Sequence, residues 1–254
     1  MSDYRGKFVW YELMTTNMTA AETFYRGVIG WSAKDAGMPG MSYTLVSMGE
    51  AGVAGLMTLP DAALKPGWIG YIAVDDVDAS AALAKRAGGA IHRAPDDIPG
   101  VGRFAVTADP QGAVLALFKS SGQENPPAAA PGTRGHGGWH ELHAADWRTA
   151  FDYYQNLFGW TKADTVDMGP MGVYQLFANG GEPIGGMMTK PDTMPAPFWL
   201  YYFNVENINA AAARVRSGGG QVVREPQQVP GGSWIVHCLD PQGALFALAA
   251  PPSE

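Results

Sequence analysis

The sequence predicts an α+β protein in which one β-α-β-β-β arrangement is duplicated, and internal self-similarity is the main evidence. WYELMTTN from Trp10 returns as WHELHAAD from Trp139, and FYRGVIGW from Phe24 returns as YYQNLFGW from Tyr153. Two later blocks also repeat in the same order, YIAVDDVDA as YFNVENINA and ADPQGAVLALF as LDPQGALFALA. Ordered repeats at a nearly constant spacing indicate two copies of one supersecondary unit.

The repeats define the expected domain organisation. The first copy is predicted to run from residue 6 to 119 and the second from 137 to 250. Residues 120–136 between them are rich in proline, glycine and small polar side chains. Such a composition is typical of a linker that forms no regular structure of its own.

Local signals predict the elements of each copy. Aromatic and polar residues alternate from Phe8 to Met14, which indicates a strand. Asn17, and Asp146 in the second copy, precede apolar residues at helical spacing and can cap the first turn. Asp76 is the corresponding cap of a second helix. The D-P-Q-G sequence then predicts a tight turn before a final strand.

Composition narrows the class of partner. The formal charge of −7 argues against nucleic acid, which requires a concentrated basic surface. No apolar run approaches the roughly 18 residues that would span a bilayer, and the first residues lack the layout of a signal peptide. A single cysteine, Cys238, excludes an intrachain disulfide. We therefore expect a cytoplasmic protein with no membrane partner.

The helix ends FYRGVIGW and YYQNLFGW, the starts VDDVDA and VENINA, and the D-P-x-G turn resemble the vicinal-oxygen-chelate superfamily. That superfamily includes glyoxalases, bleomycin-resistance proteins and extradiol dioxygenases. The resemblance covers both copies and implies tandem βαβββ modules, whose curved sheets enclose cavities. It also implies that metal-dependent members carry ligands on inward-facing strand positions.

Here the positions that match those ligands hold residues that cannot bind a metal through their side chains. The matching residues are Trp10, Gly55, Ile69 and Ala116 in the first copy, and Trp139, Gly186, Leu200 and Ala247 in the second. The resemblance therefore implies a member with no metal of the usual kind, and no cofactor is expected.

Strand alternation predicts which side chains share the inner face. Trp10, Glu12 and Met14 would share it in the first copy. In the second copy Trp139, Glu141 and His143 would do so. Tyr71 and Tyr202 have the same parity as the ligand positions and are expected to face the same cavities. Such a lining favours a flat or apolar ligand, or else the aromatic rings fill the space as packed core.

Glu12 and Glu141 are the candidate catalytic groups. A carboxylate among aromatic rings is expected to have a raised pKa because desolvation disfavours its charged form. Glu141, with His143 two residues away, could act as a general base or acid. The alternative is a structural hydrogen-bond hub. Cys238 is expected to be an inert thiol on the inner face, with its neighbour His237 pointing the other way.

Three functions follow from these residues. The leading hypothesis is a metal-independent protein that binds a small aromatic or apolar molecule, either to sequester it or to protect the cell. An alternative is a glyoxalase-like lyase or isomerase, or a dioxygenase-related enzyme, that uses Glu141 and His143 or an unrecognised metal. The third is a structural or interaction protein with filled cavities. A small organic ligand is the expected partner, and the chain could be a monomer or a homodimer.

Overall fold

The computed structural model describes residues 4–38, 40–122 and 129–252. In the first copy the elements are β1 Phe8–Thr15, α1 Met18–Val28, β2 Ser32–Asp35, β3 Tyr43–Met48, β4 Ala51–Thr58, β5 Gly67–Ala73, α2 Val77–Arg86, β6 Ala90–Ile98, β7 Gly102–Ala108 and β8 Val114–Ser120. In the second copy they are β9 Gly137–Ala144, α3 Trp147–Phe158, β10 Thr161–Asp167, a 3-10 turn Gly169–Met171, β11 Val173–Ala178, β12 Pro183–Thr189, β13 Phe198–Asn204, α4 Ile208–Ser217, β14 Gln221–Gln228, β15 Trp234–Leu239 and β16 Leu245–Ala250.

Each copy forms one mixed sheet of eight strands. The strand order is β2-β3-β4-β1-β5-β8-β7-β6 in the first sheet and β10-β11-β12-β9-β13-β16-β15-β14 in the second. In each half-sheet the strand before the helix pairs in parallel with the last strand, as β1 does with β4 and β5 with β8. The β-α-β-β-β unit thus occurs four times, which confirms the predicted α+β class.

The helices begin where the sequence predicts because a capping side chain stands at each start. Asn17 and Asp76 accept hydrogen bonds from backbone N–H groups three residues ahead, at 3.0 and 2.9 Å. Asp146 caps α3 by accepting from the N–H of Arg148, two residues ahead, at 3.1 Å. These bonds satisfy donors that have no partner within the helix. Across the described residues the helices are 10 to 12 residues long, and none is long and apolar enough to cross a bilayer.

Strands β2 and β6 were not located by the sequence. Both lie at an edge of the first sheet, and most of their side chains are exposed. An edge strand that is solvated on both faces needs no alternating apolar pattern, so periodicity cannot detect it.

The compact units of the fold do not coincide with the copies. One unit combines the described residues of Met1–Val9, Gly70–Ala128 and Trp139–Trp199. The other combines those of Trp10–Ile69, Ala129–Gly138 and Leu200–Glu254. Each unit therefore contains half of each copy. The boundaries 6–119, 120–136 and 137–250 stay a prediction of where the duplicated segments begin and end, and residues 123–128 of the linker lie outside the described ranges.

A buried tyrosine joins the two halves within each unit. In the first-named unit, Tyr154 of α3 donates to Oδ2 of Asp109 in the D-P-Q-G turn at 2.9 Å. In the other, Tyr25 of α1 donates to Oδ2 of Asp240 at 3.1 Å. Burial raises the pKa of both aspartates. The D-P-Q-G sequence thus forms a local turn, and its aspartate also accepts a hydrogen bond from a residue far away in the sequence.

Candidate functional site

Strand β9 brings together the two polar residues that the sequence singles out in the second copy. Trp139, Glu141 and His143 occupy alternate positions of the strand and share a face. Nε2 of His143 lies 2.7 Å from Oε1 of Glu141. The two side chains are only 7% and 11% exposed, so the pair is shielded from bulk water.

Tyr174 on β11 completes a hydrogen-bond relay to the carboxylate. The Trp139 indole N–H donates to the Tyr174 hydroxyl at 2.7 Å, and this hydroxyl donates to Oε2 of Glu141 at 2.9 Å. Burial, and then the charge of Glu141, raises the pKa of Tyr174 well above its usual value. The hydroxyl therefore keeps its proton at neutral pH and remains a donor. We call this arrangement the Trp–Tyr–Glu relay.

A glycine makes the relay possible. Gly186 on β12 is the register partner of Glu141, and a Cβ at Gly186 would overlap the Tyr174 ring. Only a residue without a side chain lets the phenol lie across β12 and reach the carboxylate. The position at which the family resemblance implies a possible metal ligand thus accommodates a tyrosine ring.

The hydrogen-bond chain ends at His143, where one ring nitrogen, Nδ1, lacks a hydrogen-bond partner among the described residues. A carboxylate only accepts hydrogen bonds, so beside an ionised Glu141 the proton of neutral His143 is on Nε2 and the lone pair is on Nδ1. In the described part of the chain this buried Nδ1 has no hydrogen-bond partner. The ring of Phe198 stacks on the imidazole, with centroids 4.6 Å apart and planes 12° apart. A buried acceptor without a donor costs about 1–3 kcal/mol, which favours any ligand that supplies one.

The first copy contains the same relay with a different end. Trp10 donates to the hydroxyl of Tyr43 at 3.0 Å, and Tyr43 hydrogen-bonds to Glu12, which is 8% exposed. Burial, and then the charge of Glu12, raises the pKa of Tyr43. A Cβ at Gly55, the register partner of Glu12, would overlap Tyr43. Met14 stands where the second copy has His143, so this relay has no imidazole.

Tyr71 and Tyr202 are both buried, but they have different neighbours. Tyr71 lies close to the rings of Phe104 and Phe118, at centroid distances of 6.3 and 6.2 Å. The Tyr202 hydroxyl lies 2.8 Å from Nε2 of His237. Tyr71 belongs to the unit that contains Glu141, whereas Tyr202 belongs to the unit that contains Glu12.

The expectation that Cys238 shares the inner face is wrong. Cys238 is paired in register with Phe246, whose ring packs against Phe24 and Tyr25 of α1. His237 instead lies on the face of Tyr202. The parity of β15 is set by its pairing with β16, which the residues of β15 alone do not reveal. The thiol is fully buried, and burial raises its pKa to about 12.

Three residues of these clusters, Tyr43, Tyr174 and Phe198, escaped sequence reasoning, and His237 was considered only as the neighbour of Cys238. A signal for the tyrosines exists, since Tyr43 and Tyr174 occupy the same place in the repeat, and in each copy a glycine lies under the ring, diagonally across the hairpin. No comparable signal exists for Phe198 and His237, because Gly67 and Val106 occupy their places in the first copy. The raised pKa expected for Glu12 and Glu141 stays a prediction.

Comparison with known proteins identifies the family. The model of the Glyoxalase/Bleomycin resistance protein/Dioxygenase superfamily matches residues 7–117 and 137–248, one match in each copy. The chain belongs to this superfamily, as the repeat and its motifs predict. The family implied by the sequence resemblance is thereby confirmed.

Several relatives align over nearly the whole chain. "Putative glyoxylase CFP32" of Mycobacterium bovis is 31% identical over 259 residues, which cover 100% of this chain and 98% of the relative. The anthracycline biosynthesis protein DnrV of Streptomyces peucetius is 32% identical, covering 96% and 92%. Among solved structures, a Mn(II)-bound glyoxalase from Novosphingobium aromaticivorans has a TM-score of 0.68 at 15% identity, covering 99% and 84%. The 2,3-dioxygenase LapB from Pseudomonas sp. KL28 has the same TM-score at 13%, covering 98% and 94%. At these identities the two structures support the fold alone.

The donor set does not fit the metal site that the family implies. The residues at the corresponding strand positions offer an indole, glycines and aliphatic side chains. Glu141 and His143 supply one carboxylate and one imidazole, and throughout the described ranges no three His, Cys, Asp or Glu side chains cluster around a possible ion. A catalytic metal site typically uses three protein ligands.

Proposed function

We propose that the Glu141 site binds a small planar aromatic molecule that carries a hydroxyl group. The observation that supports this proposal is the buried Nδ1 of His143, which has no donor within the described residues. A ligand hydroxyl would donate to this nitrogen and remove the cost of leaving it unmatched. Binding of this kind requires no metal, and it would serve to sequester the ligand or to protect the cell.

Aromatic side chains around the polar pair favour a flat ligand. Trp139, Tyr174 and Phe198 are only partly buried, so ring surface remains reachable from solvent next to Glu141 and His143. Aromatic surfaces with a few polar groups are typical of sites for small organic molecules. Two relatives are named as anthracycline biosynthesis proteins. Anthracyclines are planar, hydroxylated, polycyclic compounds, and this supports the ligand class.

The test compares two probes that differ only in their hydroxyls. We expect 2,6-dihydroxyanthraquinone, whose hydroxyls cannot bond to the ring carbonyls internally, to bind and to raise the melting temperature, with an affinity about tenfold above that of unsubstituted anthraquinone, the value of one hydrogen bond. The variant His143→Met introduces the residue of the first copy and should abolish the preference. Equal affinities for the two probes in both proteins would contradict the proposal. Absence of binding and of any thermal stabilisation would favour the third function, a protein with filled sites.

A second candidate is a proton-transfer enzyme, a glyoxalase-like lyase or isomerase. The contact between Oε1 of Glu141 and Nε2 of His143 favours it, because a carboxylate that holds a neutral imidazole in one tautomer leaves the other nitrogen basic. Deuterium exchange into an aryl α-hydroxyketone in D2O, followed by NMR, measures such proton abstraction. Catalysed exchange that Glu141→Gln removes, with folding unchanged by circular dichroism, would favour the enzyme. Deuterium exchange at the uncatalysed rate would contradict the enzyme and favour the binding protein.

A further inference from the structure

A second polar cluster lies on the C-terminal half of the second sheet. Tyr202, Ala247, His237 and Arg224 occupy matching register positions on β13, β16, β15 and β14. Directly paired residues on neighbouring strands share a face of the sheet. Because Ala247 is small, the Tyr202 hydroxyl passes over it and lies 2.8 Å from Nε2 of His237. We call these four residues the Tyr–Ala–His–Arg row.

The first copy contains the corresponding row in a neutralised form. Tyr71, Ala116, Val106 and Arg93 are paired across β5, β8, β7 and β6 in the same manner. The guanidinium of Arg93 forms an ion pair with Asp96 at 2.8 Å. It also lies over the ring of Phe104, 4.8 Å from its centroid. The charge of this arginine is therefore balanced by its own strand.

Two differences leave the arginine of the second copy without those neighbours. Gln227 is paired with Ile235 at the positions that correspond to Asp96 and Phe104. Arg224 is exposed, and no hydrogen bond or ion pair joins it to the residues that the structure describes. His237 replaces the valine of the first copy. Compared with the row of the first copy, the row of the second copy therefore lacks a carboxylate beside its arginine and has an additional imidazole.

We propose that Arg224, beside the hydrogen-bonded pair of Tyr202 and His237, binds the carboxylate group of a small organic acid. The planar guanidinium presents paired N–H donors that match a carboxylate. The ligand carboxylate takes the role that Asp96 has in the first copy. This site lies within one compact unit and does not depend on the Glu141 site.

Benzoate and its neutral counterpart benzamide are the probes. In an NMR titration of isotopically labelled protein, we expect benzoate to shift the ring signals of His237, which are assigned by their loss in His237→Val. Benzamide should bind about tenfold more weakly because it lacks the charge. Gln227→Asp supplies Arg224 with the internal partner that Arg93 has, and it should weaken benzoate by a similar factor. The matched control Arg93→Gln in the first copy should leave the affinity unchanged.

Two further results separate this site from the Glu141 site. The variant His143→Met should bind benzoate as the parent does, whatever it does to the anthraquinone probes. The reciprocal double variant Val106→His with Asp96→Gln should create a second benzoate site in the first copy. Equal affinity for benzamide and benzoate, or an unchanged affinity in a folded Gln227→Asp variant, would overturn the proposal.

Discussion

The two copies differ less in their scaffold than in the residues that end each hydrogen-bond network. Both build the Trp–Tyr–Glu relay from the same strand positions, with a glycine under the tyrosine ring. In the second copy the relay continues into His143, which Phe198 covers. The first copy has Met14 and Gly67 at the corresponding places. A duplicated module can thus keep its buried network while the groups that face a ligand diverge.

In the opposite half of each sheet, equivalent positions also hold different groups. Tyr71 and Tyr202 hold equivalent places, but only Tyr202 reaches a histidine. Polar groups accumulate in the second copy at both of these positions, whereas the first copy has methionine and valine. Four predictions test this asymmetry between the two copies.

The largest expected effect concerns acid stability and His140. This ring stacks on Phe8, its Nδ1–H donates to the Ile184 carbonyl at 2.7 Å, and burial lowers its pKa to about 4. The unfolded chain binds a proton near pH 6.5 and the folded one near pH 4, so stability is lost as the pH falls through that window. The loss is about 3 kcal/mol. The first copy has Tyr11 at this place, which does not titrate there.

Urea unfolding at pH 7 and pH 4 measures this effect against a variant without the imidazole. We expect the difference in unfolding free energy between the parent and His140→Phe to change by about 3 kcal/mol between the two pH values. Comparing differences cancels the contribution of other groups, including Asp109 and Asp240. Parallel pH profiles would show that His140 is not the acid-sensitive group.

The glycines beneath the tyrosines come next. Gly186→Ala and Gly55→Ala should each cost about 2 kcal/mol, because the added methyl group displaces a packed ring. Gly27→Ala is the matched control, since nothing lies within 4 Å of a Cβ at that helical position. It should stabilise by about 0.5–1 kcal/mol. Chemical denaturation measures all three, and a similar cost at Gly27 would contradict the steric argument.

Removal of the relay hydroxyls has a smaller expected effect. Tyr174→Phe and Tyr43→Phe should each cost about 1–2 kcal/mol, because an indole N–H and a carboxylate oxygen lose a partner. We expect the larger loss at Tyr43, since His143 still donates to Glu141 in the second copy, whereas Met14 cannot donate to Glu12. Thermal unfolding of the two variants side by side measures the difference. A larger loss at Tyr174 would reverse the comparison.

An exchange at the end of the relay should have the smallest effect on stability. His143→Met removes a hydrogen bond to Glu141 but also removes the unmatched Nδ1, so the change should stay within about 1 kcal/mol. Ligand affinity, in contrast, should change as described above. A stability loss of about 3 kcal/mol or more, as for a removed core contact, would show that the imidazole is a structural element and not a binding group.

Local and repeated signals were sufficient to predict most of the fold. The repeated blocks located both copies, and the caps Asn17, Asp76 and Asp146 are present as expected. Strand alternation also placed Glu141 and His143 together, because two residues on one face of one strand need no tertiary information. These successes depend on interactions between neighbours in sequence.

The remaining features depend on contacts between distant residues. Tyr174 lies 33 residues from Glu141, and its reach depends on a glycine in a third strand. The side on which His237 lies follows from the register of β15 on β16. Packing of α1 against Phe246 likewise has no local signature. Sequence periodicity describes one element at a time and cannot predict which elements will meet.

The composition of the compact units has a consequence for synthesis on the ribosome. The unit that contains Glu141 has all its residues once Trp199 is synthesised. In the other unit, Phe24 packs against Phe246, which is synthesised 222 residues later. At about 5–20 residues per second this interval lasts about 10–45 s. During that time the part of the α1 stripe that packs on Phe246, at Phe24 and Tyr25, lacks this cover. We therefore expect α1 to reach its full protection from protease only after Phe246 has been synthesised.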